Sequence, residues 1–423
     1  MNKIRHYFTT FVLTRGFFIA LLGSAFIYLE HWGVSHPLIH TILALSSLFL
    51  LLQSHTKVWF WFGVFTGTLW FFWIALSLQH YGYAWGIPVG VSLIGLGYGI
   101  IFGSIAKLSS LIASLFPTSS TLLPLILKAI GLLGLSYLHP FGFDWLKPEL
   151  IFVESYLGIE KWQFGLVLLA IILAQWKQNF NYLLLILLAY QPQPNTTMKP
   201  DKNIALISTH TSVENKWNTR LHQAQFKTLF QTIDNAIEQN QTLIVLPESV
   251  FPVFLNHSEK LMNTLKEKAK HISIITGGLY WDNGTPRNST YIFTHGKVTV
   301  ANKVVLVPFG ESNPLPDFLS KWVNDIFYDG AIDYEASADV TDYKINGQTY
   351  RNAICFEATS EKLYKGDPRN MIVLSNNGWF YPSIEPTLQK LLLLYYNKKY
   401  GTTIYHSVNM SESYVIKKGN IIQ

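Results

Sequence analysis

The sequence has 423 residues, of which 49% are hydrophobic and only 14% are charged, with a formal net charge of +6. This composition is too apolar for an ordinary soluble protein of that length, and it predicts insertion into a membrane. The basic residues are scattered and form no stripe with aromatic side chains, which argues against a nucleic-acid partner. A single cysteine, Cys355, excludes an intramolecular disulfide and a multi-cysteine metal site.

The long apolar runs lie in the first part of the chain. A bilayer core about 30 Å thick requires about 20 apolar residues of helix. The segments predicted as spans, of which the last two are short, are 9–30, 36–54, 58–78, 86–106, 119–138, 162–176 and 180–192. The sequence therefore predicts a helical membrane bundle of about seven spans over residues 1–192.

The charges beside these segments predict their orientation. Lys57, Lys107 and Lys177 fall in alternate connections, while the connections 31–35 and 79–85 contain no lysine or arginine. Because positive charges are retained inside, the N-terminus is expected in the cytoplasm. An odd number of spans then predicts a multi-pass protein whose polar C-terminal part lies on the outer face of the membrane, which for the inner membrane of a diderm bacterium is the periplasmic side.

Three details of the bundle qualify this interpretation. The first segment follows Lys3 and Arg5, as a signal peptide would, but no small-residue cleavage site follows it, so we expect a retained helix. Lys128 lies inside the fifth predicted span, where it could snorkel, face a polar cavity or mark a misplaced boundary. Residues 139–161 carry aromatic residues and a few charges, and they predict an interfacial loop on the outer side.

From residue 203 onward, short β-rich runs alternate with more polar helices. Strands are predicted at 204–208, 242–246, 272–276, 291–294, 298–300 and 371–375, and helices at 214–239, 258–270 and 387–400. This alternation predicts one α/β domain over residues 200–423.

Glu248, Lys303 and Cys355 lie at or just beyond the ends of predicted strands, where loops commonly carry chemistry. Each has a structural alternative. A lone cysteine after an apolar strand is most often a small buried hydrophobe. A lysine near a strand is usually solvated, and a glutamate after proline commonly begins a helix.

The order and separation of four motifs favour a catalytic set over these alternatives. The motifs are Pro-Glu-Ser at 247–249, Asn-Lys-Val-Val-Leu-Val-Pro-Phe-Gly-Glu at 302–311, Ile-Cys-Phe-Glu at 354–357 and Ser-Asn-Asn-Gly-Trp-Phe at 375–380. With them, residues 200–415 resemble the nitrilase superfamily, whose members carry a Glu-Lys-Cys triad on an αββα sandwich. With a membrane bundle ahead of that sandwich, the whole chain resembles the apolipoprotein N-acyltransferase family.

The resemblance implies a role for each motif residue. Glu248 is the general base, Lys303 the cationic stabiliser and Cys355 the nucleophile. The implied substrate-binding residues are Glu311, Phe356, Glu357, Trp379 and Phe380. The chemistry also requires such partners, because a free thiol is mostly protonated at neutral pH and a nearby carboxylate or ammonium raises the thiolate population.

The resemblance also implies a reaction without cofactor or metal. A phospholipid, expected to be phosphatidylethanolamine, donates an acyl chain to Cys355, which forms a thioester. The α-amino group of the N-terminal diacylglyceryl-cysteine of an apolipoprotein then accepts the chain. The expected partners are therefore these two lipid substrates and the membrane.

Lipid substrates require a site that opens at the bilayer surface. Trp379, Phe380, Tyr381 and the apolar stretch 318–328 are predicted lid elements that hold acyl chains or enter the interface. The alternative is that these aromatic residues pack in the core, which is as reasonable as the lid for Phe380.

The chain departs from the family pattern at several points. Phe356 stands where a tyrosine usually follows the nucleophile, and Gly378 replaces a more usual alanine. The sequence after the predicted α/β domain contains no apolar span, so we expect a shortened variant of the family. His406 has no ligands at suitable spacing and is predicted to be structural.

Two other functions keep parts of this interpretation. A membrane-tethered amidase or carbon-nitrogen hydrolase would use the same residues with water as the acceptor. An inactive membrane-bound binding protein would have lost the chemistry, but the complete set of Glu248, Lys303 and Cys355 argues against it.

Overall fold

The structure is a computed structural model, and its residues form two compact units. It describes residues 7–116, 121–193, 199, 201–315 and 333–422. The helical unit comprises Met1–His139, Asp144–Gln193 and Pro382–Leu391, and the α/β unit comprises Pro140–Phe143, Pro194–Tyr381 and Leu392–Gln423. The predicted boundary between 192 and 200 divides the chain once. In the structure, residues 140–143 also belong to the α/β unit and residues 382–391 belong to the helical unit.

The helical unit is built from apolar α-helices. They are α1 (Thr10–His31), α2 (Pro37–Leu52), α3 (Thr56–Phe71), α4 (Ile87–Ser114), α5 (Leu122–Leu135) and α6 (Lys161–Lys177). Shorter 3₁₀ helices cover Phe72–Tyr81 and Phe180–Ala189. Apolar residues surround each long helix rather than lining one stripe, a pattern typical of helices surrounded by other helices or by lipid.

Glycines allow α3 and α4 to approach closely. A Cβ added at Gly63 would lie 2.5 Å from the carbonyl oxygen of Tyr98, and one at Gly99 would lie 2.5 Å from Val64 Cγ2. Small residues at such contacts let helix backbones pack together where the hydrophobic effect gives little attraction between helices.

Four helical stretches among the described residues are long and apolar enough to cross a membrane: Thr10–His31, Thr56–Tyr81, Ala84–Ser114 and Leu122–Gly142. The apolar helices Pro37–Leu52 and Phe180–Ala189 are shorter. The predicted membrane character is therefore confirmed, while the count of seven spans stays a prediction.

The segment after α5 differs from the interfacial loop that we expected. Most of residues 144–159 are buried, including a 3₁₀ helix at Pro148–Phe152. Within this segment the fully buried Glu149 accepts a hydrogen bond from Ser136 Oγ at 2.7 Å and forms an ion pair with Lys161 at 2.7 Å. Charges buried away from water persist when they are paired and hydrogen-bonded in this way.

Lys128 has a structural role within the helical unit. Its ammonium donates to the carbonyl oxygens of Leu52 at 3.2 Å and Ser54 at 2.7 Å. These carbonyls lie at the C-terminal end of α2, where the helix itself provides no donors and where a positive charge is favoured. Lys128 therefore caps α2 from the side of α5.

The first sheet of the α/β unit contains β1 to β6. Its strands are Ile204–Leu206, Leu243–Val245, Phe251–Phe254, Ser273–Asp282, Thr285–Thr294 and Lys297–Asn302. The order along the sheet is β1-β2-β4-β5-β6, with β3 also paired to β4. Strands β1, β2 and β4 run parallel, and β4, β5 and β6 are antiparallel neighbours.

The second sheet contains β7 to β12 in the order β12-β11-β10-β9-β8-β7. Its strands are Asp342–Ile345, Gln348–Ile354, Asn370–Asn376, Thr403–Asn409, Tyr414–Lys417 and Asn420–Ile422. The three central strands, β8, β9 and β10, are parallel. Their side chains are largely buried on both faces, as in other parallel sheets covered on both sides.

The two sheets pack face to face inside helical layers. Residues of β2, β4 and β5 form one core with residues of β8, β9 and β10. On the outer face of the first sheet a second core forms beneath α8 (His222–Glu238) and α9 (Glu259–Lys268). The last helix, α10 (Glu385–Tyr400), places Tyr396 against Tyr364 with ring centroids 4.6 Å apart. The predicted fold class, a helical membrane region followed by an α/β sandwich, is confirmed.

Two details of the predicted elements differ. The helix predicted over 214–239 is interrupted, because α7 (Val213–Trp217) ends before a 3₁₀ turn at Thr219–Leu221 and α8 follows. The helix predicted over 387–400 begins at Glu385, and its first part belongs to the helical unit, where Lys390 forms an ion pair with Glu30 of α1 at 2.6 Å.

Candidate active site

Cys355 lies at a sharp turn directly after β8. Its backbone is in the left-handed region with φ of 53°, and a 3₁₀ turn covers Cys355–Thr359. A residue other than glycine adopts this conformation at a cost of about 1–3 kcal/mol, and such strain is concentrated at functional sites. The side chain is partly buried. Cys355 therefore lies just beyond the end of a strand, as predicted.

Glu357 holds the Cys355 turn against the segment that follows β6. One carboxylate oxygen accepts from the backbone N–H of Ile354 at 2.7 Å, and the other accepts from Val304 at 2.7 Å and Val305 at 3.1 Å. Ile354 immediately precedes Cys355, and Val304 immediately follows Lys303. One fully buried side chain therefore fixes the spacing between the segments of the thiol and the lysine.

Lys303 lies at the end of β6 with only 1% of its surface exposed. Its ammonium contacts both carboxylate oxygens of Glu311, at 2.9 and 2.8 Å. The backbone N–H of Val307 also donates to Glu311, at 2.9 Å. The loop between Lys303 and Glu311 thus closes on itself and presents one carboxylate to the buried ammonium.

Glu248 follows β2 and joins the same cluster through an amide. The Asn288 side-chain NH₂ group donates to Glu248 Oε1 at 2.8 Å and to Glu311 Oε1 at 2.7 Å. The backbone carbonyl of Asn288 also accepts from the N–H of Lys303 at 2.9 Å. Asn288 was not predicted from the sequence, because an asparagine inside a strand has no local signal of its role.

Burial and neighbouring charges shift the pKa values of Lys303 and Glu248 in opposite directions. Burial alone would lower the pKa of Lys303, but the charges of Glu311, Glu248, Cys355 and Glu357 outweigh it and raise the pKa above its ordinary value. Lys303 is therefore a permanent cation at neutral pH. Burial raises the pKa of Glu248, while Lys303 opposes the rise. A carboxyl group with a raised pKa is suited to accept and return a proton.

Burial and neighbouring groups also act in opposite directions on the pKa of Glu357. Burial raises its pKa to about 7, against the charge of Lys303 and the hydrogen bonds from Val304, Ile354 and Val305. The carboxyl group is enclosed by backbone donors. Glu357 therefore connects two loops through hydrogen bonds to their backbone, in addition to any contact with substrate that the resemblance implies.

An aromatic wall lies beside the Cys355 turn. Phe356 is buried and stacks on Phe143, with ring centroids 5.8 Å apart and planes 11° apart. Phe141 meets Phe309 edge to face at 5.6 Å. Phe141 and Phe143 belong to the short segment Pro140–Phe143 that is part of the α/β unit. No local signal indicated that a segment so far before the thiol in the chain would contribute to the site.

The remaining predicted residues lie on other elements. Trp379 and Phe380 end a 3₁₀ turn at Asn377–Phe380 that follows β9, and both are partly buried. Their role as a lid stays a prediction. The predicted lid stretch 318–328 lies outside the described residues.

His406 lies in the interior of the second sheet, on β10. Its Nε2 is hydrogen-bonded to Ser375 Oγ at 2.7 Å, and its ring meets Tyr414 edge to face at 4.9 Å. Burial lowers the pKa of His406 to about 3, so the imidazole is neutral at physiological pH. These contacts agree with the structural role that we expected.

One further buried cation was missed. Lys216, on α7, is 2% exposed, and its ammonium donates to the backbone carbonyl of Glu248 at 3.1 Å. A lysine in a polar helix is predicted from sequence to be a surface residue. The signal emerges only when α7 is packed against the loop that carries Glu248.

Comparison with known sequences identifies the family. The sequence model of the "Apolipoprotein N-acyltransferase integral membrane domain" matches residues 9–193. The apolipoprotein N-acyltransferase of Wolinella succinogenes is 42% identical over 405 residues, which cover 94% of each chain. The chain belongs to the apolipoprotein N-acyltransferase family. The Helicobacter pylori apolipoprotein N-acyltransferase is also similar, with 33% identity over 92% of this chain and 91% of that protein.

Solved structures similar to this member of the apolipoprotein N-acyltransferase family include an amidase from Nesterenkonia sp. AN1. A mutant of that amidase matches with a TM-score of 0.39 and 13% identity, covering 52% of this chain and 86% of the amidase. A CN-hydrolase superfamily protein from Xanthomonas campestris matches with a TM-score of 0.36 and 14% identity, covering 52% of this chain and 83% of that protein.

Proposed function

We propose that the protein transfers an acyl chain from a phospholipid, through a thioester on Cys355, to the α-amino group of the N-terminal diacylglyceryl-cysteine of apolipoproteins. The observation that carries this proposal is the arrangement around Cys355. A buried permanent cation, Lys303, is bound to a carboxylate, and Glu357 ties the Lys303 and Cys355 segments together. Membership of the family supplies the two lipid substrates.

In the first half-reaction, the sulfur of Cys355 attacks the carbonyl carbon of the phospholipid ester, and Glu248 takes the thiol proton. The ester carbonyl becomes an oxyanion, which the Lys303 ammonium and backbone N–H groups at the Cys355 turn stabilise. The carbon–oxygen bond of the ester then breaks. Glu248 returns its proton to the departing alcohol, and a lysophospholipid leaves.

In the second half-reaction, the α-amino group of the apolipoprotein attacks the thioester carbonyl. Glu248 removes a proton from the attacking amine, and the same donors stabilise the second oxyanion. The carbon–sulfur bond breaks, which releases an amide product and regenerates the thiolate. The proton on Glu248 returns to the sulfur, so the enzyme ends the cycle as it began.

The paired charges explain why such a site can be buried. Lys303 without Glu311 would leave an unpaired ammonium inside the sandwich, at a cost of several kcal/mol. The ion pair keeps the cation in place before substrate arrives, so little reorganisation is needed when the oxyanion forms. The aromatic wall of Phe356 and Phe143 gives the thioester an apolar neighbour, which suits an acyl chain.

The proposed donor is phosphatidylethanolamine, and the proposed location is the bacterial inner membrane with the α/β unit on the periplasmic side. The distribution of Lys57, Lys107 and Lys177 supports this orientation. Trp379 and Phe380, with the stretch 318–328, are the proposed lid over the lipid substrates.

The test measures both half-reactions by intact mass. Detergent-purified wild type and Cys355→Ser are incubated with phosphatidylethanolamine of known acyl composition and then with a diacylglyceryl lipopeptide. We expect an acyl adduct on the wild type alone, discharged by the lipopeptide to an N-acylated product. Adduct that is lost to water at the same rate with and without lipopeptide would instead identify a hydrolase. An absence of adduct together with an unreactive thiol would identify a binding protein.

A further inference from the structure

Lys216 is a buried cation that the mechanism above does not use. We propose that Lys216 is a positioning residue of the active site: its ammonium holds the backbone carbonyl of Glu248 and adds a second positive charge beside the Glu248 carboxylate and the Cys355 thiolate. The inference rests on the proposed function only for its effect on acyl transfer. Its effect on the thiol is separable from that function.

The backbone around Lys216 is held from both sides. Before α7, the N–H of Thr211 donates to Asn409 Oδ1 at 3.0 Å, and Asn409 Nδ2 donates to the carbonyl of Thr211 at 2.8 Å. After Lys216, His222 Nε2 donates to the Lys216 carbonyl at 3.1 Å. These contacts fix the position from which the Lys216 side chain reaches its buried target.

That target is the loop of the proposed general base. The Lys216 ammonium lies 3.1 Å from the Glu248 carbonyl oxygen. On another side the same loop packs directly on Gly277 of β4, where an added Cβ would lie 2.5 Å from Ser249 N and 2.7 Å from Glu248 Cα. Ser249 itself has a positive φ of 49°. The Glu248 loop is thus strained and close-packed, and Lys216 holds its carbonyl.

The charge of Lys216 acts on the reacting groups. Burial lowers the pKa of Lys216 to about 8, while the negative charges of Glu248 and Cys355 oppose that change. Lys216 is therefore still mostly protonated at neutral pH. Its ammonium has three hydrogens and, among the described residues, one hydrogen-bond acceptor.

The other charges at this site set the size of the effect. The Glu248 carboxylate also interacts with Lys303, Glu311 and the Asn288 amide, and Lys303 also interacts with Cys355. The hydrogen bond from His222 goes to the Lys216 backbone carbonyl. Lys303 counteracts the raised pKa of Glu248 more strongly than Lys216 does, so the charge of Lys216 adds to that of Lys303 rather than replacing it.

The single cysteine makes the inference directly measurable. The rate at which iodoacetamide alkylates folded, detergent-purified protein reports on Cys355 alone, and its dependence on pH reports the thiolate population. Three variants separate the contributions: Lys216→Met removes charge and donor, Lys216→Gln keeps a donor without charge, and Lys216→Arg keeps the charge. Lys227→Met, an exposed lysine of α8, is the matched control.

We expect the pH midpoint of alkylation to rise by about one unit in Lys216→Met and Lys216→Gln, because removal of a nearby cation disfavours the thiolate. Lys216→Arg and Lys227→Met should keep the wild-type midpoint. The rate of acyl-adduct formation at neutral pH should fall about tenfold in the uncharged variants, in proportion to the thiolate fraction. The acid limb of the adduct rate, which follows ionisation of Glu248, should move to higher pH.

A midpoint that stays within 0.2 unit, roughly the precision of such a titration, in the uncharged variants would overturn the inference even if their activity fell. If Lys216→Met fails to fold, Lys216→Gln and Lys216→Arg carry the same comparison. Alkylation needs no lipid substrate. If the wild type forms no acyl adduct but the midpoint still rises in Lys216→Met and Lys216→Gln, the proposed function is rejected and the role of Lys216 is kept.

Discussion

Two buried lysines, Lys128 in the helical unit and Lys303 in the α/β unit, have different kinds of partner. In the helical unit, Lys128 donates to backbone carbonyls at the end of α2, which are neutral dipoles. In the α/β unit, Lys303 faces the carboxylate of Glu311 and lies within reach of further acidic groups. The first arrangement completes a helix, whereas the second concentrates opposite charges at one point. Of these two lysines, the one with ionisable partners lies in the candidate active site.

Two buried glutamates show the reverse pairing, because the one with an ionisable partner lies in the helical unit. Glu149 in the helical unit is paired with Lys161 and Ser136, which hold a buried connection between helices. Glu357 in the α/β unit accepts three backbone hydrogen bonds from the two loops that carry Lys303 and Cys355. Both carboxylates stabilise loops, but only Glu357 stabilises loops that bring a thiol and an ammonium together. The following predictions test that difference, from the largest expected effect to the smallest.

Lys303→Met should have the largest effect on chemistry. The variant keeps the approximate length of the side chain but removes the cation that we propose stabilises the oxyanion, and we expect acyl-adduct formation to slow by about 10²–10³-fold. Single-turnover intact mass measures the rate. Lys297→Met, an exposed lysine of the same strand β6, is the control and should keep the wild-type rate. An unchanged rate in Lys303→Met would mean that Lys303, like Lys128, has only a structural role.

Glu357→Gln should change how stability depends on pH. Burial raises the pKa of Glu357 from 4.5 to about 7, so the folded protein holds this proton more tightly than the unfolded chain does. The contribution of Glu357 to stability is therefore complete below about pH 4.5 and is lost as the pH rises through about 7, by at most about 3 kcal/mol. The glutamine variant cannot titrate, so the stability of the wild type relative to the variant should fall across this range.

The comparison with Glu357→Gln is needed because His406 acts in the opposite direction. Burial lowers the pKa of His406 from 6.5 to about 3, so its contribution to stability is lost as the pH falls below about 6.5. Chemical unfolding of both proteins in detergent at pH 5, 6, 7 and 8 isolates Glu357, because His406 is common to both. A wild type that instead gains stability relative to the variant as the pH rises would mean that the three backbone donors hold Glu357 ionised.

Lys128→Met should reduce stability without changing the chemistry. The carbonyls of Leu52 and Ser54 lose a buried donor, and we expect a loss of about 1–3 kcal/mol in the free energy of unfolding. The rate of acyl-adduct formation per folded molecule should stay within about twofold of wild type. A large loss of rate in protein shown to be folded would mean that Lys128 is coupled to the site.

Phe143→Leu should have the smallest effect. The variant keeps an apolar side chain but loses the stacked contact with Phe356, which is worth about 0.5–1.5 kcal/mol beyond the buried area. We expect a loss of that size in the free energy of unfolding and a change of only a few fold in the rate of adduct formation. Phe141→Leu is the matched control, because Phe141 is 61% exposed and contacts Phe309 rather than Phe356.

The site residues that could be predicted are those that the local sequence signals. Glu248, Lys303 and Cys355 each follow a strand, and strand ends can be recognised from β-rich runs that stop at polar residues. Asn288 and Lys216 were missed because nothing in their local sequence distinguishes them from residues on a solvated strand or helix. Their contacts with Glu248 connect residues 40 and 32 positions apart. Only packing brings them together.

In the helical unit, too, the sequence predicted some features and missed others. Hydrophobic runs predicted the long helices well, because a membrane helix must be apolar along its whole length. The burial of residues 144–159 was not predicted, since aromatic residues with a few charges are equally typical of an interfacial loop. The structure explains the charges by pairing them, as between Glu149 and Lys161.

The sequence by itself determined the membrane character, the order of the helical and α/β parts, and the candidate set of Glu248, Lys303 and Cys355, because these depend on composition and on short motifs. The tertiary structure alone decided how they are held. Glu357 fixes the distance between the loops of Lys303 and Cys355, Asn288 joins two carboxylates, and Lys216 reaches the Glu248 carbonyl. Hydrogen bonds and charge pairs act over a few ångströms in space, whereas the sequence records only distance along the chain.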